Sequence, residues 1–309
     1  MSMYSLSPLL ASAISAALPL IIVALGELIC ERAGILNLGL EGMMLMGALA
    51  SFMTVTMGGG LFLGLVMGIS AGVLSSLIFG FVVINLQANQ VAAGLSLTIL
   101  GAGLSAFLGR SYVGFPAAAS FAPLPIPFLK DIPLLGVSIF SLNLLGYFGL
   151  LSLAGVSWFL YRTRAGLTLR AVGESPVVAR ALGLSVTRVR YLAVFFGGAM
   201  AGIAGTYYSI AQFKMWQEGL TSGNGWIALA LVVFATWRPM RVGFGALLFG
   251  GVTALGLYFQ AIGLSISTFA LSSLPYVATV LVLVFISRNL ETVRRHAPAW
   301  LGKPFYDDS

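Results

Sequence analysis

Long apolar runs separated by short polar segments fill most of this 309-residue chain. Because a helix needs about 20 mostly apolar residues to cross a bilayer, the pattern predicts an all-α, polytopic membrane protein with about nine transmembrane helices. The weakest of the nine runs, 226–237, suits a tilted or re-entrant half-helix as well as a crossing, and we take it as a crossing. The predicted spans are residues 9–29, 36–57, 60–86, 91–109, 140–161, 191–211, 226–237, 242–262 and 269–287.

Composition supports a membrane location. Only 8% of the residues are charged and 59% are hydrophobic, whereas soluble domains carry about 25% charged residues. The single cysteine, Cys30, excludes an intramolecular disulfide, and the single histidine, His296, excludes a metal site built on paired histidines. We therefore predict no cofactor and no metal. The first eight residues lack Lys and Arg, so the first apolar run is expected to be a retained span rather than a signal peptide.

The net charge of +7 is unevenly distributed along the chain. With the N-terminus outside and the C-terminus in the cytoplasm, thirteen of the sixteen basic residues fall on the cytoplasmic side, as the positive-inside rule requires. This distribution among short loops argues against a nucleic-acid partner. The thirteen are Arg32, Arg162, Arg164, Arg170, Arg180, Arg188, Arg190, Arg238, Arg241, Arg288, Arg294, Arg295 and Lys303.

Small residues recur at every fourth position of the third predicted span. Spacing by four keeps them on one side of the helix, where they allow close approach of a neighbouring helix. We therefore expect this span to be central, and we favour packing over the alternative that the small residues line a pore. The series is Gly60, Gly64, Gly68, Gly72, Ser76 and Gly80.

Two sequence patterns bear on catalytic function. No GxxxxGK[ST] sequence occurs, so the chain itself is not expected to bind ATP through a P-loop. Gly68, Ser70 and Gly72 match a GxSxG elbow, which leaves an intramembrane hydrolase as a rival function. The match falls inside an apolar helix, and the only histidine is in the basic tail, so we predict a non-enzymatic transport subunit without catalytic residues.

No predicted span carries a charge at its middle, unlike proton-coupled pumps and voltage sensors, and this favours a neutral, polar solute. Candidates for the solute path are the amides and carboxylates near one membrane edge. They are Glu27, Asn37, Glu41, Asn85, Gln87, Asn89 and Gln90. For Glu41, an equally weighted alternative is that the side chain only caps a helix or extends towards water.

The longest predicted cytoplasmic loop, 162–190, has six arginines and one acid, Glu174. Ser175 suits an N-cap, Pro176 suits the first helical turn, and Gly183 suits a left-handed stop, which together predict a two-turn helix. Two turns are marginal in isolation, so this helix is expected to dock on a cytoplasmic motor protein. The alternative is a helix that lies on lipid headgroups.

Four blocks of residues resemble a family of membrane transport proteins. Residues 26–44, GELICERAGILNLGLEGMM, are similar to the signature of permease subunits of bacterial ABC importers for nucleosides. Those permeases belong to a larger group that also serves simple sugars and branched-chain amino acids. Residues 89–95, 166–174 and 225–230 resemble further blocks of the same group, and the resemblance covers about residues 18–290.

The resemblance implies a nucleoside permease of the bacterial cytoplasmic (inner) membrane. It also implies a second, homologous permease subunit, an ATPase with two nucleotide-binding domains and an extracytoplasmic lipoprotein. Residues 179–183 correspond to the loop that couples the permease to the ATPase, although the glutamate expected at its head is out of register. The implied coupling residues are Glu174, Pro176, Arg180, Ala181 and Gly183.

The implied organisation is a single transmembrane permease domain, 1–290, followed by a cytoplasmic tail, 291–309. The nearest rival solutes are a simple sugar such as ribose and a branched-chain amino acid. The amino acid is less favoured, because a zwitterion is expected to require helix termini or charges at its site. A passive channel is a further rival, which would need no ATP.

Overall fold

The structure is a computed structural model that describes residues 3–262, 268–287 and 296–305. These residues form α-helices and no named strand. In chain order the helices are α1 (Met3–Arg32), α2 (Leu40–Thr56), α3 (Gly60–Gly80), α4 (Gln90–Gly109), α5 (Leu135–Ile139), α6 (Leu144–Arg162), α7 (Arg164–Glu174), α8 (Pro176–Ala181), α9 (Val186–Thr206), α10 (Asn224–Phe234), α11 (Pro239–Ala261) and α12 (Thr268–Ser287). Short π-helical turns, Phe81–Asn85 and Tyr207–Gln212, extend α3 and α9.

The all-helical, polytopic architecture is confirmed. Six helical stretches are long and apolar enough to cross a membrane. They are α1, α3, α4, α6, α9 and α11, where α3 and α9 include their π-helical turns and α4 includes a following 3-10 turn, Arg110–Tyr112. They coincide with six of the predicted spans, and α12 coincides with the ninth. We call the end of the bundle that carries Arg32, Arg162 and Arg238 the basic end. The orientation of this end towards the cytoplasm remains a prediction, and Arg288, Arg294 and Arg295 lie outside the described residues.

Residues 226–237 do not form a helix long enough to cross a membrane alone, which agrees with the half-helix alternative, and the crossing itself remains a prediction. Helix α10 has eleven residues, or about 16 Å, against a hydrocarbon core of about 30 Å. Before it, Trp216 and Met215 pair with Val113 and Pro116 beyond the end of α4, at the far end of the bundle. The chain therefore still runs from the far end to the basic end, but irregular residues 217–223 cover the first part of that path.

Helix α2 is also shorter than predicted, because it begins at Leu40 instead of residue 36. The residues before it form an irregular segment beside α4: the Leu36 N–H donates to Gln90 Oε1 (2.8 Å), and Thr98 Oγ1 donates to the Leu38 carbonyl (2.9 Å). A Cβ on Gly42 would lie 2.6 Å from the carbonyl oxygen of Leu97, seven residues into α4. The first turn of α2 thus lies about 11 Å along α4 from its start.

Helices α1 and α9 are the most buried of the six long helices, so the expectation that the third span is central is wrong. Helix α3 exposes one side and packs its glycine side on α2 and α9. Gly64, Gly68 and Gly72 are buried there, and a Cβ on Gly72 would lie 2.1 Å from the Gly198 carbonyl oxygen. Gly60 does not belong to this contact: it is exposed, has φ +74° and would meet no atom within 4 Å. Its role is to start the helix from a turn.

Candidate functional site

Two of the predicted solute-path residues, Glu27 and Asn37, meet at the turn between α1 and α2. The Asn37 backbone N–H donates to Glu27 Oε1 (2.8 Å), and Asn37 Oδ1 accepts from the Gly39 N–H (3.0 Å). Both side chains are fully buried. Their contacts hold the irregular segment in place, and neither lines the polar cavity described below.

Glu41 binds the start of α10 from its position in the first turn of α2. Its carboxylate accepts hydrogen bonds from Thr221 Oγ1, the Gly223 N–H (2.8 Å) and the Gly225 N–H (2.7 Å). The carboxylate therefore supplies the N-terminal cap of α10 and lies at the positive end of that helix dipole. The predicted alternative that Glu41 caps a helix is therefore confirmed. A role of Glu41 in the solute path remains a prediction.

The other end of α10 is also fixed by α1. Trp237 Nε1 donates to Glu31 Oε2, and Arg32 donates to the Trp237 carbonyl (2.8 Å). A cation at the C-terminal end of a helix complements the negative end of its dipole. The short helix is thus held at both ends by charged side chains. Sequence reasoning missed Glu31 and Trp237, because nothing local marks a partner about 200 positions away.

A polar cavity of about 300 Å³ lies beside the start of α10. Its walls come from α1, the π-turn after α9, α10, α11 and α12, and the Tyr208 ring stacks on Phe213 (centroids 5.8 Å apart). Among the described residues its lining contains no charged side chain, and Gln212 Oε1 is buried without a hydrogen-bond partner. The polar and aromatic lining residues are Tyr208, Gln212, Phe213, Ser222, Asn224, Thr253, Gln260 and Tyr276.

This cavity was missed at the level of sequence. Two of the amides predicted for the solute path lie between α3 and α4 and do not line this cavity. Asn85 Oδ1 accepts from the Tyr191 hydroxyl, and Asn89 Oδ1 caps α4 by accepting from the Ala92 N–H (3.0 Å). Gln90 binds the α1–α2 turn instead. A usable signal was the run of tyrosine and amide side chains between residues 207 and 224, which flanks the sixth predicted span.

The predicted two-turn helix in the basic loop is present as α8. Ser175 Oγ accepts from the Val178 N–H (3.3 Å), Pro176 is the first residue, and Gly183 has φ +80°. Ala179 is buried against the neighbouring helices. The sequence signals for the helix start and stop are therefore confirmed, while the coupling role remains a prediction.

The outer surface of α8 is apolar and exposed. Leu182 is 74% exposed and Val177 and Val178 are each 57% exposed, so this side of the helix makes little contact with the rest of the chain. Arg180 and Ala181 are also exposed. An exposed apolar surface beside basic side chains is typical of a docking site for another protein.

Residues 296–305 of the predicted tail pack on the basic end. The Trp300 N–H donates to the Gly173 carbonyl (3.0 Å), and the Ala299 N–H donates to Glu174 Oε2 (3.4 Å). Phe305 packs beside Ala179 of α8. This part of the tail is therefore a docked segment that connects α8 to the α1–α2 turn. Residues 291–295 and 306–309 of the tail lie outside the described ones.

Comparison with known proteins identifies the family. Residues 9–287 match the family described as branched-chain amino acid transport system, permease component. The chain is 41% identical, over 95% of both chains, to a Haloferax volcanii protein provisionally named a glucose ABC transporter permease. It is 35% identical to the guanosine ABC transporter permease NupQ of Bacillus subtilis, covering 88% of this chain and 90% of the relative. It is 32% identical to the nucleoside ABC transporter permease NupC of Lactococcus lactis, covering 86% and 87%.

ABC importers divide their work between subunits: an ATPase hydrolyses ATP, a binding protein delivers the solute, and the permease forms the path. The helical architecture agrees with the permease role. The family match covers most of the chain, and the relatives named above are permeases aligned along most of their length. This chain therefore belongs to the branched-chain amino acid transport system permease family and is a multi-pass ABC importer permease of the cytoplasmic membrane, without ATPase activity of its own.

Proposed function

We propose that this permease moves nucleosides into the cell. The observation that carries the proposal is the uncharged cavity beside α10, next to a helix start that Glu41 already neutralises. In transporters with interrupted helices, such a helix start commonly binds the anionic group of the substrate. Here the Glu41 carboxylate occupies that position, so the cavity favours a neutral solute over a zwitterionic amino acid.

The cavity lining suits a flat, polar solute. Tyr208, Phe213 and Tyr276 offer aromatic faces, and Gln212 and Asn224 offer amide groups for hydrogen bonds. Aromatic rings stack on the faces of nucleobases, while amides recognise the polar edges of bases and hydroxyl groups of sugars. The volume of about 300 Å³ is at the lower end of ligand-binding cavities. The similarity to the guanosine and nucleoside permeases supports the same solute class.

The second candidate is a simple sugar. The 41% identity to the Haloferax volcanii protein favours glucose, and amide side chains suit sugar hydroxyls as well as nucleosides. The aromatic lining is the feature that favours a nucleoside over a sugar, because a planar base gains stacking energy that a sugar ring does not gain to the same extent.

The proposed coupling path begins at α8. We infer that its exposed apolar side chains dock on an ATPase carrying two nucleotide-binding domains, with Glu174, Pro176, Arg180, Ala181 and Gly183 at or beside the contact. A second, homologous permease and an extracytoplasmic lipoprotein complete the proposed importer. Residues 1–290 act as one membrane domain in this proposal, with the basic end in the cytoplasm, as the charge distribution predicts.

The solute class is tested by ATPase activity of the complete importer in proteoliposomes, with its solute-binding lipoprotein. Adenosine or uridine is expected to stimulate ATP hydrolysis, whereas ribose, glucose and leucine are not. Stimulation by glucose or ribose without stimulation by any nucleoside would refute the nucleoside proposal and support the sugar.

The cavity is tested by Gln212→Ala. Gln212 Oε1 has no partner within the described part of the chain, so its removal costs no internal hydrogen bond from that atom. Loss of one hydrogen bond to the solute raises the KM of uptake about fivefold. Gln217→Ala, an exposed amide in the following loop, is the matched control and should keep the wild-type KM. Equal KM values for both variants and the wild type would exclude Gln212 from the solute site.

A further inference from the structure

A second cavity, of about 530 Å³, lies at the basic end of the bundle. It is bounded by the last turns of α6, by α7, by the end of α1 and by the start of α11. We call it the arginine pocket, because four arginines contribute to its wall. The lining residues are Arg32, Ser157, Tyr161, Arg170, Arg238, Pro239, Met240, Arg241 and His296.

Two of these guanidinium groups have buried N–H groups that nothing in the described chain satisfies. Arg32 is only 9% exposed, and its Nε lacks a hydrogen-bond partner although its terminal nitrogens donate to two carbonyl groups. Arg170 Nε is also buried without a partner, and the group lies over the Tyr161 ring, 5.4 Å from its centroid. Glu31 and Glu174 lie close enough to Arg32 to favour its charge, but among the described residues neither forms an ion pair with it. The unsatisfied N–H groups of Arg32 and Arg170 therefore favour a bound anion.

The other two arginines are exposed at the mouth of the pocket, where they contact a hydroxyl group and an imidazole ring. Arg241 donates to Thr236 Oγ1 (2.7 Å), and the Arg238 guanidinium lies 3.1 Å from His296 Nε2. None of the four arginines has a carboxylate within ion-pair distance among the residues that the structure describes. Four arginines therefore line one cavity, and none of them is ion-paired within the described part of the chain.

The start of α11 adds to the positive potential. This 23-residue helix begins at Pro239, which has no N–H, and the Arg241 and Val242 N–H groups donate to the Arg238 carbonyl (3.0 and 3.3 Å). No side chain caps this helix start. The positive end of the helix dipole thus faces the same cavity as the arginines. Planar guanidinium groups bind phosphate oxygens through paired hydrogen bonds, which makes phosphate the anion that best fits this wall.

The surroundings place the pocket at a lipid boundary. Met240 lines it and is exposed, and the neighbouring apolar side chains Trp158 and Phe244 are 64% and 72% exposed on α6 and α11. These side chains suit contact with acyl chains, and a tryptophan is typical of the membrane–water interface. Basic pockets between membrane helices are known binding sites for anionic lipid headgroups.

We propose that the arginine pocket is a binding site for a phosphate-bearing anion. An anionic phospholipid headgroup is the source favoured by the apolar side chains next to the pocket, and free phosphate has the same binding chemistry. A bound phosphate would neutralise the arginine cluster at the point where Arg32 holds the end of α10. The site is separate from the uncharged cavity and does not depend on the identity of the transported solute.

The test uses the complete importer in phosphatidylcholine nanodiscs, with two added probes in separate experiments: phosphatidylglycerol in the lipid phase and inorganic phosphate in the buffer. Bound phosphatidylglycerol is counted by native mass spectrometry, and phosphate binding is measured by the rise in thermal unfolding temperature. The variant is Arg170→Gln with Arg238→Gln. The control is Arg164→Gln with Arg188→Gln, two exposed arginines outside the pocket on the same end.

The pocket variant is expected to bind the anion about 30-fold more weakly, because each of the two arginines contributes about 1 kcal/mol of binding free energy. The control should keep wild-type binding. Selective loss of phosphatidylglycerol identifies a lipid site, and selective loss of phosphate protection identifies a soluble anion. Wild-type binding of both probes by the pocket variant, or equal loss in the control, would overturn the proposal.

A further measurement separates a binding role from a structural one. Without either probe, the pocket variant should unfold at the same temperature as wild type or higher, because neutral side chains relieve repulsion among the arginines. The charge-preserving double variant, Arg170→Lys with Arg238→Lys, should keep part of the anion affinity, because the positive charges remain but the paired hydrogen bonds of the planar guanidinium groups are lost. Destabilisation of the pocket variant without any anion would show that the arginines serve the fold alone, contrary to the proposal.

Discussion

Replacement of Glu41 tests the capping of α10 directly. The carboxylate accepts from Thr221 Oγ1 and from the Gly223 and Gly225 N–H groups; Thr221 and Gly225 are buried and Gly223 is half-buried. Hydrogen bonds to charged groups contribute about 1.5–3 kcal/mol each in water-soluble proteins, and interhelical bonds in membranes contribute about 0.6–2 kcal/mol each. For three bonds we expect Glu41→Ala to lower the free energy of unfolding by about 3–4 kcal/mol.

Glu41→Gln should cost about half as much. The amide keeps one oxygen that can accept from Gly223 or Gly225, but its NH₂ group faces a backbone donor instead of accepting from it. Glu218→Gln is the matched control, since Glu218 is an exposed acid in the same irregular segment. It should stay within about 0.5 kcal/mol of wild type.

The assay is unfolding of the full-length chain by SDS in mixed micelles, followed by tryptophan fluorescence, together with uptake by the assembled importer. Glu41→Ala should lose uptake even at temperatures where it stays folded, because the start of α10 beside the cavity is no longer held. If the free energy of unfolding of Glu41→Ala stays within about 1 kcal/mol of wild type, the side chain behaves like one on the surface, and the capping account is refuted.

Two further predictions concern glycines. Gly72→Ala places a Cβ 2.1 Å from the Gly198 carbonyl oxygen, so it should lower the free energy of unfolding by about 1–3 kcal/mol in the same assay. The control is Gly103→Ala, whose Cβ meets no atom within 4 Å and should leave stability unchanged or raise it. Equal stability of the two variants would contradict the tight α3–α9 contact. In Gly183→Pro, the proline cannot adopt φ +80° and lacks the N–H that donates to the Arg180 carbonyl (2.8 Å), so the end of α8 should be distorted. Membrane insertion should persist, because α8 lies outside the spans, while ATP-driven uptake should fall to background. Normal uptake would disprove the coupling role of α8.

The long helices and α8 were predictable because their signals are local. Apolar length marks the spans, and the Ser175, Pro176 and Gly183 signals mark both ends of α8 within nine residues. The glycine series on α3 likewise predicted a packing face, although Gly60 at its start serves a turn. In each case the residues that specify the structure lie close together in the chain.

The half-helix at 226–237 was one of two interpretations that its short length allowed, whereas the irregular segment before α2 was not predicted. Residues 33–39 are mostly apolar, and hydropathy does not show where a helix stops within an apolar run. Helix α10 is fixed by two contacts: the Gly225 N–H donates to Glu41, and Trp237 donates to Glu31. In each contact the two residues are more than 180 positions apart in the chain. The polar cavity was missed for the same reason, because its walls come from five helical elements.

The measurement that tests the central claim most directly is ATP-driven uptake of labelled adenosine by proteoliposomes that contain the complete importer, with unlabelled uridine, glucose or leucine as competitors. A neutral cavity with aromatic walls predicts ATP-dependent adenosine accumulation that another nucleoside lowers and that glucose and leucine leave unchanged. Accumulation of glucose or leucine in place of adenosine would contradict the account.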